Sequence, residues 1–129
     1  MIKGFEDVTK KISDYEKKRL VPLVAEVLKH RVGFRKAATN KMIREYLELE
    51  DGVIISDTVM RRIINYIRRK NLVPCLIATS RGYYVADEAK DMEVYIESLE
   101  GRIEAIRTVL TSIRRQYKKQ FGSKKPADS

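Results

Sequence analysis

The sequence predicts a mainly α-helical fold with one small β-hairpin (α+β), ending in a long C-terminal helix. Three observations predict it. Apolar residues recur at helical spacing in three segments between Ser13 and Lys70. After Asn71 the pattern changes to β-branched, apolar and aromatic runs, residues 73–79 and 83–86, separated by Ser80-Arg81-Gly82. From residue 87 onward an apolar repeat alternating four and three runs to Tyr117.

The first helix starts at Ser13, because Ser13-Asp14-Tyr15-Glu16 has the S-x-x-E form of a capping box. Leu20, Val24, Val27 and Leu28 form its apolar face. Pro22 either kinks this helix or occupies the first turn of a second one. His30, Arg31 and Gly33 mark the end, with cations near the negative pole and then a glycine able to adopt positive φ. Residues 35–38 are expected as a short strand. Thr39 or Asn40 caps a second helix carrying Met42, Ile43, Tyr46 and Leu47, which is expected to end near Leu49. Val53, Ile54 and Ile55 form a short apolar link. Ser56 or Asp57 caps a third helix, expected over residues 57–70. The two β-rich runs then read as a hairpin with Gly82 in its turn. Cys75 is expected as a small buried hydrophobe in the first of these strands. Asp87 and Glu88 open the last helix at its positive pole, and that helix runs to about residue 120. The expected division is a head over 1–86, a helix for oligomerisation over 87–120, and a disordered basic tail over 121–129.

Charge narrows the classes of partner. The 129 residues hold 27 Lys+Arg against 18 Asp+Glu, a net charge of +9. The excess is uneven: +8 over residues 1–86, −2 over 87–116 and +3 over 117–129. A polyanion-binding head is thus followed by a stretch with a different task. One cysteine and one histidine leave no internal disulfide and no His/Cys zinc site. There is no GxGxxG and no GxxxxGK[ST], so no phosphate-cradling loop is expected. No apolar run approaches a membrane span, and residues 1–7 lack a signal-peptide core. The expectation is an intracellular, cytoplasmic, nucleoid-associated protein with no cofactor, no metal and no membrane partner.

The third helix separates two faces. At about 100° per residue, Thr58, Arg61, Arg62, Asn65 and Arg69 share one arc, with Arg68 on its flank. Val59, Met60, Ile63, Ile64 and Ile67 lie opposite. Arginine forks onto guanine O6 and N7, asparagine pairs with adenine N6 and N7, and threonine meets a thymine methyl or a phosphate. A merely solvated face usually mixes signs, whereas here the one acid is Asp57 at the start.

Residues 20–86 resemble a winged helix-turn-helix domain. Thr39-Asn40-Lys41-Met42-Ile43-Arg44-Glu45-Tyr46-Leu47 looks like the helix before the turn. Ser56-Asp57-Thr58-Val59-Met60-Arg61-Arg62-Ile63-Ile64-Asn65-Tyr66-Ile67-Arg68 looks like the recognition helix, and Gly82-Tyr83-Tyr84-Val85-Ala86 like the second wing strand. The chain is similar overall to small phage and prophage winged-helix proteins with a long C-terminal helix. The resemblance implies double-stranded DNA as partner, with the recognition helix in the major groove and the wing on backbone or minor groove. Arg81 at the hairpin tip suits a phosphate or a narrow minor groove. Lys41, Arg44, Arg35 and Lys36 are candidate phosphate contacts.

In the last helix, Ile96, Ile103, Leu110 and Tyr117 take a positions, and Met92, Leu99, Ile106 and Ile113 take d positions. Such a stripe requires cover, from a second chain or from the helix that begins at Ser13. The e positions are Glu93, Glu100, Arg107 and Arg114. In a parallel pair Arg102 meets Arg107; in an antiparallel pair Glu100 meets Arg107 and Glu93 meets Arg114, about one two-fold axis. The expectation is an antiparallel homodimer.

No catalytic residue is expected. Seven tyrosines raise the idea of a tyrosine nucleophile, but no set of metal ligands or Arg/His partners accompanies them. Three functions compete: a sequence-specific DNA-binding regulator of transcription, a replication or recombination accessory protein that recruits a partner through the coil, and an interaction module for an acidic protein.

Overall fold

A computed structural model describes residues 11–122. The expected tail, apart from Phe121 and Gly122, lies outside the described residues, as do the first ten. The chain divides into two compact units, residues 1–92 and 93–129.

The first unit begins with the expected capping box. The Ser13 backbone N–H donates to Glu16 Oε1, and the Glu16 N–H donates to Ser13 Oγ, both at 3.1 Å. A π-helical segment, Glu16–Leu20, runs into helix α1, Val21–Lys29, with Pro22 in the first α-helical turn. Proline has no N–H to donate to the carbonyl four residues back, and the wider turn ahead of it accommodates that gap. Of the two expected roles for Pro22, the first-turn position is the one observed.

Helix α2, Asn40–Asp51, is capped by Thr39, whose Oγ1 accepts the Met42 N–H at 3.1 Å. It runs past the expected end at Leu49, because Gly52 closes it in the left-handed region (φ 64°) and donates to the Glu48 carbonyl. The link of residues 52–56 anchors itself through buried Ile55, while Ile54 points outward. Helix α3, Asp57–Arg69, is capped by Ser56, whose Oγ accepts the Val59 N–H. Met60, Ile63, Ile64 and Ile67 of α3 are buried with Val24 and Leu28 of α1 and with Ile43 and Leu47 of α2. Helix α3 therefore packs on both earlier helices through one face.

The hairpin consists of β1, Leu76–Thr79, and β2, Gly82–Val85, antiparallel, with Leu76 opposite Val85 and Thr79 opposite Gly82. Its loop is Ser80-Arg81. The expected strand over 35–38 is absent. Phe34–Lys36 forms one 3-10 turn instead, and strand-like pairing shrinks to single bridges at Val32 (to Val85) and Ala38 (to Tyr83). Gly33, at φ 91°, swings the chain out of line between these bridges. Gly82 is needed where it stands: its φ is 119°, and a Cβ there would lie 2.5 Å from the Ala38 carbonyl oxygen. Cys75 also departs from expectation. It is exposed, at φ 61°, in the turn before β1 rather than buried within a strand.

Helix α4, Ala89–Phe121, is continuous through the second unit. No helix among the described residues is long and apolar enough to cross a membrane.

Candidate nucleic-acid interface

Helix α3 buries its apolar face and leaves a polar one. Thr58, Arg61, Asn65 and Arg68 are half-buried, and Arg69 is exposed. Arg62 is a correction. Its side chain is 10% exposed and its Nη2 lies 3.2 Å from Glu16 Oε2, itself on a side chain 14% exposed. Arg62 sits at the edge of α3 that faces the start of the first helix, so it ties those elements together and presents no fork to solvent.

The remaining polar residues are organised by neighbours. Arg61 Nη2 lies 3.2 Å from Asp57 Oδ2, one turn back and partly solvated. Such a partly solvated pair contributes about 0–1 kcal/mol. Arg69 Nε donates to Asn65 Oδ1 at 2.8 Å. Both Arg69 Cζ and Lys17 Nζ stand 5.9 Å from the Tyr66 ring centroid. Lys17 thus joins the edge of the basic face. The sequence reading missed it, since Tyr66 falls between the two wheel arcs and Lys17 belongs to another helix.

The starts of α2 and α3 are linked. Asn40 Nδ2 donates to the Asp57 carbonyl at 3.4 Å, and Asn40 Oδ1 accepts from Arg44 Nε. Arg44 is thereby held by Asn40, next to the first turn of α3, and Lys41 is exposed in the first turn of α2. Both helices direct their positive poles to this region.

The hairpin carries a second basic corner. The Arg81 guanidinium lies 5.5 Å from the Phe34 ring centroid, and Phe34 meets Tyr84 edge-on at 5.7 Å. Arg81 N–H donates to Thr79 Oγ1 at 3.1 Å, which shapes the tip. The 3-10 turn that offers Phe34 to this tip also exposes Arg35 and Lys36. The role of Phe34 had no local signal, because its partners lie in the hairpin. Burial pushes the Tyr84 phenol above its ordinary value, and the charges of Asp91 and Asp87 add to that rise.

His30 lies elsewhere. Its Nε2 contacts Glu26 at 2.9 Å, and hydrogen bonds from Lys29 and then His30 hold the Glu26 carboxyl below its ordinary value. In α4 the expected stripe faces solvent in the single chain: Ile96, Ile103, Ile106, Leu110 and Ile113 are 44–68% exposed. Tyr117 is exposed as well, while Met92 and Leu99 are half-buried.

Comparison with known proteins finds no match to a protein-family model, a curated protein or a solved structure.

Proposed function

We propose that the first unit binds duplex DNA with sequence preference, as a regulator of transcription of the small phage or prophage kind. The observation that carries this reading is the polar face of α3: three arginines, an asparagine and a threonine on a helix capped at Ser56 and backed by core. Its side chains match the donor and acceptor pattern of the major groove. The element order supports it too. Helix, bridge, helix, helix and hairpin follow one another as in winged helix-turn-helix domains, with α3 in the recognition position.

In this reading Arg61, Asn65 and Arg68 face base edges, and Thr58 and Arg69 flank them. Lys41, Arg44, Lys17, Arg35 and Lys36 neutralise phosphates, which fixes register without reading sequence. Arg81, braced on Phe34, follows the backbone or minor groove beside the hairpin. Arg62 is not among the contacts.

Selection from random-sequence duplexes tests the proposal. The expected result is an enriched motif. Arg61→Ala then relaxes preference at one base pair, at about 1–3 kcal/mol per lost bidentate contact. Arg81→Ala instead weakens all sequences alike. Absence of any enriched motif would contradict sequence-specific reading.

A further inference from the structure

We propose that α4 pairs with α4 of a second copy in an antiparallel coil, and that this pairing gives one assembly two DNA-reading heads related by a two-fold axis. The second half of this inference rests on the DNA-binding reading above; the first half does not.

The occupant of the stripe follows from its own pattern. Five aliphatic side chains in register, each 44–68% exposed, leave a long apolar seam uncovered in the single chain. Antiparallel packing places a opposite d. One two-fold axis then stacks Ile103 on Ile106, Leu99 on Leu110 and Ile96 on Ile113, with no layer left unmatched. The same axis brings Glu100 to Arg107 and Glu93 to Arg114 along the e flank. The opposite flank pairs Arg102 with Val109, so no like charges meet there. A parallel pair offers neither e-flank ion pair and sets Arg102 against Arg107. In the single chain Arg107 pairs with Glu104, at 3.3 Å between side chains more than 60% exposed. That contact is weak enough to be exchanged. The seam is therefore self-complementary, which an isologous interface requires.

Spacing follows from helix rise. Each first unit ends at Met92, and Met92 lies opposite Tyr117 of the second copy. At 1.5 Å per residue the two heads join the coil about 37 Å apart along its axis. Two-fold symmetry then requires the target to be an inverted repeat.

Sedimentation equilibrium of the full chain without DNA gives the first readout, with a mass near twice 15.0 kDa expected. Orientation is read by cross-linking in a Cys75→Ser background, with Leu99→Cys and Leu110→Cys in separate chains. Antiparallel pairing links the two variants when mixed and links neither to itself. A monomer, or disulfides between identical positions, would overturn the proposal. The selected duplexes supply the last readout: an inverted repeat supports paired heads, and a lone half-site overturns them. A cross-linked dimer that selects no sequence would instead count against the DNA-binding reading while leaving the coil intact.

Discussion

Arg61 and Arg62 are neighbours in sequence and differ in task. Arg61 keeps a partly solvated pair with Asp57, whereas Arg62 is buried against Glu16. Removing Arg62 leaves the Glu16 carboxylate poorly solvated without its counter-charge. Arg62→Ala is expected to lower unfolding free energy by about 3 kcal/mol in urea melts, while Arg61→Ala changes it little. Equal effects would place both side chains in the same environment. The helical wheel could not separate them, because angle alone does not reveal what covers an edge; the partner lies 46 residues upstream. Tyr84 gives a second test at this scale. Its folded-state value is raised by burial, so its contribution to stability is intact below the ordinary value of about 10 and declines as pH rises through the folded value. Stability should therefore fall above about pH 10 in the native chain. Tyr84→Phe should flatten that decline, as measured by urea midpoints across the alkaline range.

The helices and the hairpin were legible because their signals are local. Ser13, Thr39 and Ser56 cap the helices that their spacing announced, and the side-chain acceptors are all in place. Apolar periodicity identified Val24, Leu28, Ile43, Leu47, Met60, Ile63, Ile64 and Ile67, now the center of the core. Features that depend on a remote segment were not legible. The bridge at Ala38 exists only because Tyr83 is there to pair with it, and residues 35 and 36 form a turn once Gly33 bends the chain. Cys75 reads as apolar strand by composition, yet the reversal from α3 into β1 needs a left-handed residue at that point. Gly82 reports this non-local packing most sharply. Gly82→Ala would add a Cβ against Ala38 at a φ unfavourable to side chains. It is expected to destabilise the first unit by about 2–3 kcal/mol, seen as a lower thermal midpoint. An unchanged midpoint would mean that the Ala38 bridge yields freely.

At the scale of the whole molecule, the larger basic excess lies in the first unit. That unit, residues 1–92, holds the core and the polar face of α3 and carries a net charge of +6, while residues 93–129 hold most of the stripe and carry +3. Charge bookkeeping put the boundary at residue 86, six residues before the division between the units, because Asp87, Glu88 and Asp91 belong to the first unit. The sequence did not show that Arg62 leaves the basic face, or that Lys17 and Phe34 join its edges. The central claim is that this face meets the phosphates and bases of duplex DNA. Fluorescence anisotropy of a labelled random duplex over a salt series tests it most directly. The account predicts binding that weakens steeply with salt, with a log–log slope of about −0.9 for each phosphate contact, and a shallower slope for Lys41→Ala. No binding at low salt, or binding indifferent to salt, would contradict it.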